Sequence, residues 1–241
     1  MAKIQENKPL GDGFWMMCVG QANTAKMGQF YMLRAWKSYP LLSRPISVYD
    51  ADAQTITFVY RVVGEGTEIF AALKPGDDIT LQGPYGNGFP QLSNVRHLAL
   101  VGGGVGIAPL YLTAKEYKSA APQSQVDIYL GFSGEAVLTE EFQQVADRVI
   151  VNIGGRIPDE ITPQEYDAIF TCGPEIMMQA LYQKCAAAGV QKRLYVSMEN
   201  RMACGVGACL VCSCKTQNGN KKVCKDGPVF TGEEVFGTCM H

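Results

Sequence analysis

The chain has 241 residues, which is long enough for two compact domains with a small appendage and too long for one small domain. Its residues are 47% hydrophobic and 18% charged, a composition that supports sizeable buried cores and excludes a disordered chain. The net charge of −2, from 21 basic and 23 acidic residues, provides no electrostatic footprint for nucleic acid or an anionic membrane.

The first part of the sequence predicts several short strands separated by turn residues. Alternating or continuous apolar patterns predict them at residues 14–21, 30–36, 46–50, 55–63 and 78–82. Short strands at this spacing are typical of an antiparallel barrel or sandwich. We therefore expect residues 1–94 to form an antiparallel β domain, either a barrel or a sandwich.

After Pro90 the pattern changes to strands that alternate with helices. Buried strands are predicted at residues 97–101, 126–132, 148–152 and 168–172, and helices at 109–119, 139–145 and 175–188. This alternation is typical of a parallel sheet, so residues 95–196 are expected to form an α/β domain. The remaining segment, residues 197–241, is short and rich in glycine and cysteine.

The location of the protein is predicted from its termini, its longest apolar stretch and its cysteines. The first residues lack the basic and apolar regions of a secretory signal, and glycines and Pro109 break the uncharged stretch 98–114. We therefore expect a cytoplasmic protein. Six of the nine cysteines fall between Cys204 and Cys239, and clustered cysteines in that compartment predict a metal site rather than disulfides.

Four of these cysteines have the spacing C-x4-C-x2-C-x11-C: Cys204, Cys209, Cys212 and Cys224. The first three intervals are typical of a plant-type [2Fe–2S] loop, which takes its fourth thiolate from elsewhere. Gly205 and Gly207 are small enough for backbone amides to approach the sulfur atoms of a cluster. The spacing therefore predicts an iron–sulfur site.

Alternatives remain open for the cysteines. Four thiolates also suit zinc, although zinc ligands usually come as two short C-x2–4-C pairs, whereas three of these cysteines share one loop. Cys214 could compete with Cys224 as the fourth ligand; residues 222–228 favour Cys224. The remaining cysteines are interpreted as packing or incidental thiols: Cys18, Cys185 and Cys239.

A pyrophosphate site is predicted from two motifs twenty residues apart. Arg44 opens the run Arg-Pro-Ile-Ser, and residues 64–67, Gly-Glu-Gly-Thr, precede a short helical segment. An arginine supplies charge and a helix N-terminus with a threonine cap supplies free amides. A surface salt bridge for Arg44 and an ordinary turn at Gly64 and Gly66 are the structural alternatives.

A dinucleotide site is predicted at the ends of two buried strands. Gly102, Gly103, Gly104 and Gly106 follow the first, with Pro109 in place of the third glycine of the usual G-x-G-x-x-G motif. Cys172, Gly173 and Pro174 end a later strand, at the sheet edge where ligands bind; core packing is the alternative for Cys172. Residues 131–135 contain Glu135 and no cation, which favours NAD over NADP.

Taken in order, these motifs resemble the ferredoxin-reductase superfamily, whose members join an FAD-binding β-barrel to a nicotinamide-binding α/β domain. Residues 202–209 with 223–230 closely resemble the electron-transfer subunits of NAD-dependent dihydroorotate dehydrogenase B. The resemblance implies an FAD-binding barrel at 1–94, an NAD-binding domain at 95–196 and a [2Fe–2S] domain at 197–241.

The resemblance also implies roles for particular residues. FAD would contact Arg44, Pro45, Ile46, Ser47, Tyr60, Arg61, Val62, Gly66 and Thr67. Nicotinamide would be held against the flavin by Gly102, Gly103, Gly104, Gly106, Cys172, Gly173 and Pro174. Iron would be held by Cys204, Cys209, Cys212 and Cys224. Many relatives in the superfamily carry an aromatic residue where Ile46 stands. No acid–base residue is needed, so His97 and His241 are expected to be structural.

The activity implied is that of an oxidoreductase subunit in pyrimidine biosynthesis. Electrons would pass from dihydroorotate through an FMN-containing catalytic subunit, the [2Fe–2S] cluster and FAD to NAD, within a heterotetramer. One alternative is a subunit of another flavin and iron–sulfur NAD(P)H oxidoreductase, such as a sulfide dehydrogenase or a ferredoxin–NADP transhydrogenase. An alternative from a different class is a zinc-stapled binding module without redox activity.

Overall fold

The computed structural model describes residues 1–237, and the first part of the chain is a closed antiparallel barrel with strand order β1-β2-β5-β4-β3-β6. The strands are β1 (Ala2–Gly11), β2 (Phe14–Gly20), β3 (Phe30–Arg34), β4 (Arg44–Ala51), β5 (Thr55–Arg61) and β6 (Asp78–Tyr85), and one helix, α1 (Glu65–Ala72), follows β5. The prediction of an antiparallel barrel is confirmed, and the sandwich alternative is not the architecture observed.

Strand β1 closes the barrel although its sequence predicts no strand. It pairs with β2 along most of its length and with β6 through Ala2 and Lys3. Only Ala2 and Ile4 are buried, so the strand lacks the apolar alternation by which strands are usually recognised. Pairing with the two neighbouring strands, rather than local preference, makes this segment extended.

The second part of the chain is built on a six-stranded sheet. The remaining strands are β7 (His97–Gly103), β8 (Gln125–Phe132), β9 (Arg148–Ile153), β10 (Ala168–Cys172), β11 (Leu194–Ser197), β12 (Ser213–Thr216), β13 (Gly219–Lys222) and β14 (Val229–Thr231). The helices are α2 (Ala108–Ala120), α3 (Thr139–Gln143), α4 (Glu175–Ala187) and α5 (Gly232–Phe236). The sheet order is β14-β11-β10-β7-β8-β9.

Strands β7 to β11 run parallel, which confirms the predicted parallel sheet. Nearly every residue of β7 and β10 is buried, because strands in the middle of a parallel sheet are covered on both faces. The chain leaves β7 toward β8 on one side and reaches β10 on the other. The carboxyl ends of β7 and β10 therefore form a topological switch point, where open α/β sheets bind ligands.

Aromatic packing holds the barrel against the α/β part. Tyr49 of β4 stacks on Tyr111 of α2 with ring centroids 4.4 Å apart, and Phe142 packs edge-on against both rings. Beside them, Lys115 and Asp50 form an ion pair of 2.7 Å. This contact sets the relative position of β4 and the loop after β7, and so defines the cleft between them.

The C-terminal segment is joined to the α/β sheet. After the hairpin β12–β13, strand β14 pairs antiparallel with β11, and the Thr231 hydroxyl accepts a hydrogen bond from the Glu234 amide at the start of α5. The C-terminal segment therefore adds a strand, β14, to the α/β sheet. The domain boundaries after residues 94 and 196 remain predictions. Cys239 and His241 lie outside the described residues. None of the helices within residues 1–237 has the length and apolar character of a membrane span.

Candidate functional site

A cleft of about 660 Å³ lies where the barrel, the α/β part and the C-terminal segment meet. From the barrel it is lined by Arg44, Pro45, Ile46, Ser47, Tyr60, Arg61 and Thr67, seven of the nine residues expected to contact FAD. The other two, Val62 and Gly66, lie outside the lining, next to residues that are in it. Two further segments complete the lining. Val105 and Ala108 belong to the glycine loop, which we define as residues 102–109, and residues 197–202 form the segment before Cys204.

The Arg44 guanidinium is held in one position beside the start of α1. It lies over the Trp36 ring, 5.3 Å from the ring centroid, and donates to the Leu42 carbonyl. A methyl group at Gly66 would lie 2.5 Å from its Nε, so Gly66 allows this approach. No carboxylate pairs with Arg44 within residues 1–237, so the salt-bridge alternative is not observed and the charge can bind an anion.

At the start of helix α1, the Thr67 side chain bonds backward to the backbone that precedes the helix. The Thr67 hydroxyl accepts from the Gly64 and Val63 amides, at 3.2 and 2.9 Å, and donates to the Gly64 carbonyl at 2.8 Å. Thr67 therefore occupies the third helical position and is not the N-cap; the expectation of a threonine cap is corrected in this respect. The first amides of α1 remain an anion-binding feature next to Arg44.

The glycine loop and the segment after β10 are in direct contact at the switch point. Gly102 lies opposite Cys172 in the strand register. A methyl group at Gly106 would lie 2.4 Å from the Cys172 carbonyl oxygen, and one at Gly173 would lie 2.9 Å from the Gly103 amide nitrogen. Gly104, at φ +55°, has no neighbour within 4 Å at its Cβ position and is open. These residues form one surface at the carboxyl edge of the sheet.

Glu199 is a residue of this site that sequence reasoning missed. The buried Cys172 thiol donates a hydrogen bond of 3.7 Å to Glu199 Oε1, and Glu199 lines the cleft. Its carboxylate is open to the cleft yet surrounded by protein, and this burial raises its pKa. Burial likewise raises the pKa of Cys172, which keeps the thiol neutral. An acidic residue directly after a buried strand was the available signal.

Among the four cysteines of the predicted iron site, Cys212 and Cys224 are in direct contact, and Cys204 is hydrogen-bonded to Cys209. The sulfur atoms of Cys212 and Cys224 are 3.2 Å apart, and the Gly207 amide donates to the Cys224 sulfur at 3.1 Å. Hydrogen bonds from the Cys209 and Val206 amides lower the pKa of Cys204 to about 6. No three His, Cys, Asp or Glu side chains within residues 1–237 converge as ligands of one ion.

This arrangement fits a binuclear cluster. Two thiolates for each of two irons is the ligand set of a [2Fe–2S] centre, and amides directed at sulfur are its usual surroundings. Burial and the adjacent Cys212 thiol raise the pKa of Cys224 to about 12. Gly205 and Gly207 have φ of +72° and +80°, left-handed values that favour glycine in a tight loop.

The other singled-out residues lie away from the cleft. Cys214 sits in β12 opposite Lys221 and packs half-buried against the core, while Cys185 is buried in α4. His97 bonds Asp127 at 2.9 Å at the amino end of β7, the opposite edge from the glycine loop. Glu135 lies against the barrel: a methyl group at Gly11 would be 3.1 Å from its carboxylate.

Comparisons with known proteins agree with this geometry. Residues 199–236 match the family described as the iron-sulfur cluster binding domain of dihydroorotate dehydrogenase B. The chain is 43% identical to the dihydroorotate dehydrogenase B (NAD(+)), electron transfer subunit of Clostridium acetobutylicum, over 97% of this chain and 96% of that protein. The subunit of the same name from Clostridium perfringens is 41% identical over 97% and 96%.

A solved structure of similar fold extends over nearly the whole chain. It is described as an NADH-dependent reduced ferredoxin-NADP oxidoreductase that carries out flavin-based electron bifurcation. Its TM-score is 0.87 at 28% identity, and the match covers 98% of this chain and 89% of that one. The barrel, the α/β sheet and the C-terminal segment therefore recur together in a flavin-dependent protein.

Proposed function

Because the chain belongs to the family of dihydroorotate dehydrogenase B (NAD(+)) electron transfer subunits, we propose that it is an oxidoreductase subunit of pyrimidine biosynthesis. It conducts electrons from a catalytic subunit that oxidises dihydroorotate, through one [2Fe–2S] cluster and FAD, to NAD. The observation that carries this proposal is the single cleft that joins the Arg44 region, the carboxyl edge of the sheet and the segment leading to Cys204.

The barrel supplies the flavin site. Arg44 and the start of α1 bind the pyrophosphate, since both present positive character to one point. Residues 45–47 with Tyr60 and Arg61 form the wall against which the rest of FAD packs, with Ile46 providing apolar contact. When bound, FAD supplies two-electron hydride exchange with nicotinamide and one-electron exchange with the cluster, which carries single electrons.

The α/β part supplies the nicotinamide site. The glycine loop lets the backbone approach the cofactor's phosphates, and residues 172–174 close the same surface from β10. Cys172 and Glu199 hold the end of this surface that faces the cleft, through their hydrogen bond. The protein's contribution is to bind and orient, and no residue of the cleft is needed to move a proton.

The cluster loop, residues 204–212, lies directly beside the part of the barrel that is proposed to contact FAD. A methyl group at Gly205 would lie 2.9 Å from the Met32 side chain of the barrel, and Met202, two residues before Cys204, lines the cleft itself. The chain between cleft and cluster is therefore only a few residues long. This proximity supports direct electron exchange between the two centres without an additional carrier.

The outer side of the cluster loop supports docking of the catalytic subunit. Val206, Leu210 and Val211 are 53%, 62% and 53% exposed, and they surround the exposed Cys209. Apolar side chains grouped on a loop that holds a redox centre favour a protein partner at that point. We propose that this partner is the FMN-containing subunit and that the assembly is a heterotetramer, in the cytoplasm, where the unpaired cysteines of residues 1–237 remain reduced.

A second candidate function is favoured by the structural neighbour described as a ferredoxin-NADP oxidoreductase. Its fold covers the same three parts of the chain, and the nicotinamide and flavin surfaces would serve either activity. The two functions differ in the partner protein. Copurification with an FMN subunit that oxidises dihydroorotate supports the first, and copurification with a ferredoxin-dependent subunit supports the second.

The first experiment is a visible absorption spectrum of the purified chain before and after anaerobic NADH. Flavin and iron–sulfur bands that bleach with NADH support the proposal. A featureless spectrum from iron-replete cells, together with zinc in the metal analysis, contradicts it and supports the zinc-stapled binding module instead.

Cysteine variants test the ligand assignment. We expect Cys204→Ser, Cys209→Ser, Cys212→Ser and Cys224→Ser each to lose the cluster bands and most of the iron, because a hydroxyl is a poor substitute for a thiolate ligand. Cys214→Ser is the matched control and should retain two irons per chain, since Cys214 packs within the β12–β13 hairpin. Full iron content in Cys224→Ser with loss in Cys214→Ser would reverse the assignment of the fourth ligand.

A further inference from the structure

A row of residues crosses the carboxyl edge of the sheet from the glycine loop to the edge strand. In the strand register Gly103 lies opposite Gly131, and Gly131 lies opposite Asn152. Neighbouring strands are spaced about 4.8 Å apart, so Asn152 lies about 10 Å from Gly103. In this row, two glycines are therefore followed by the side-chain amide of Asn152. A dinucleotide bound at the glycine loop would extend along the same row.

Asn152 orients a carboxylate at the end of this row. Its Nδ2 donates a hydrogen bond of 2.7 Å to Glu160 Oε1. Its Oδ1 is buried and has no hydrogen-bond partner within residues 1–237, so Glu160 is the polar contact that the amide side chain makes. Glu160 itself is exposed, so its second oxygen can accept from a ligand.

The segment that carries Glu160 is held firmly over the sheet. Ile157 packs beside Gly131, where a methyl group would lie 2.9 Å from its Cβ. Lys184 of α4 donates to the carbonyls of Pro158 and Asp159, at 2.9 and 3.0 Å. The turn before Glu160 is therefore anchored on both the sheet and α4, which limits the positions open to the carboxylate.

The charges at this edge suit hydroxyl groups better than a phosphate. A carboxylate accepts hydrogen bonds from the two hydroxyls of an unmodified ribose and repels a 2′-phosphate. Arg156, a nearby cation, is directed toward Asp159, with the two charged groups 3.9 Å apart. Glu135, the acid expected from the sequence to favour NAD, lies instead against the β1–β2 turn.

We propose that Glu160, oriented by Asn152, binds the adenosine ribose of the dinucleotide and determines the preference for NAD over NADP. This inference rests on the proposed function, because it takes the glycine loop as the phosphate site of a nicotinamide cofactor. Glu160 is the residue that contacts the ribose hydroxyls, and Asn152 is a positioning residue that acts through it.

The test measures ligand affinity independently of turnover. Isothermal titration calorimetry of the oxidised chain, loaded with flavin and cluster, gives Kd for ADP-ribose and for 2′-phospho-ADP-ribose. In Glu160→Gln we expect the affinity for ADP-ribose to fall about tenfold, as for the loss of one charge-assisted hydrogen bond, and the affinity for the 2′-phosphate analogue to rise. Asn152→Ala should lower the affinity for ADP-ribose by a smaller factor, about threefold, with less gain for the analogue.

Glu165→Gln is the matched control, because it removes an exposed carboxylate at the opposite, amino edge of the sheet, beside His97, and should leave the Kd ratio of the two analogues within about twofold of the wild-type value. An unchanged ratio in Glu160→Gln, or an equal loss of affinity for both analogues, would overturn this inference while NADH still bleaches the wild-type flavin. Failure of the wild-type chain to bind either analogue or to react with NADH would overturn the proposed function as well.

Discussion

The two ends of the parallel sheet are built in opposite ways. At the carboxyl edge, β7 ends in Gly102 and Gly103, Gly131 is the second-last residue of β8, and β10 leads into Gly173, so few side chains separate the backbone from a ligand. At the amino edge, where the same strands begin, side chains form a network of hydrogen bonds. Asp127 is fully buried there and accepts hydrogen bonds from Arg148 at 2.7 Å and Tyr166 at 2.8 Å.

The amino edge also holds its carboxylates in the ionised state. Burial opposes the ionisation of Asp127, but hydrogen bonds from His97, Tyr166 and Arg148 outweigh it and keep its pKa below the usual value. Amide donors, first that of Arg96, lower the pKa of Asp167 in the same way. At the amino edge, the buried and charged groups bond one another and stabilise the fold, whereas the carboxyl edge keeps glycine positions at which a ligand can bind.

The largest effect is expected from breaking the amino edge. Asp127→Ala removes the buried carboxylate that accepts from His97, Tyr166 and Arg148, among others. It should lower the free energy of unfolding by about 3 kcal/mol, because the buried Tyr166 hydroxyl loses its carboxylate acceptor and Arg148 its ion pair. Urea denaturation followed by far-UV circular dichroism measures the change. The Kd for ADP-ribose should stay within about twofold of the wild-type value, and a larger loss would mean that the two edges are not independent.

A smaller effect on stability but a specific effect on binding is expected from Gly106→Ala at the carboxyl edge. The added methyl group would collide with the Cys172 carbonyl and force the glycine loop away from residues 172–174. We expect the affinity for ADP-ribose to fall about tenfold, equivalent to about 1.4 kcal/mol, with the flavin content retained. Asp127→Asn is the comparison variant, since it perturbs the opposite edge. Unchanged binding in Gly106→Ala would exclude the loop from the nicotinamide site.

The smallest effect is expected from acid. A carboxyl whose pKa is lowered by folding contributes stability above its unfolded pKa of about 3.9, and this contribution is lost as the pH falls through the lower folded value. The contributions of Asp127 and Asp167 should thus be complete at pH 7 and decline below about pH 4. Urea midpoints measured from pH 7 to pH 3 test this, and Asp167→Asn should show a shallower decline. An equal decline in that variant would show that Asp167 does not contribute to the loss of stability in acid.

Much of the site could be predicted from short stretches of sequence. The spacing of the cysteines predicts a cluster loop, and two of the predicted ligands, Cys212 and Cys224, are in contact. The glycines after β7 predict a phosphate loop, which lies at the switch point of the sheet. These signals are local, because tight turns and ligand spacing restrict which residues can occupy a few consecutive positions.

Other features depended on partners distant in the chain. Strand β1 carries little apolar alternation, and its conformation comes from pairing with β2 and β6. The contact of Glu199 with Cys172 arises from the alignment of β11 beside β10. Glu135, which the sequence placed near the cofactor, faces the barrel because the loop after β8 packs on the β1–β2 turn. Side-chain direction and strand neighbours of this kind are not encoded in a local pattern.

By itself, the sequence determined the class of the protein: an antiparallel β part, a parallel α/β part and a cysteine loop, each recognisable from the period of its apolar residues or from ligand spacing. Only the tertiary structure decided which residues meet. Strand order and register brought Gly103, Gly131 and Asn152 into one row and gathered three parts of the chain around one cleft. The physical reason is that a period of two or 3.6 residues fixes which face of an element is buried, whereas the neighbour against which it is buried is chosen by long-range packing.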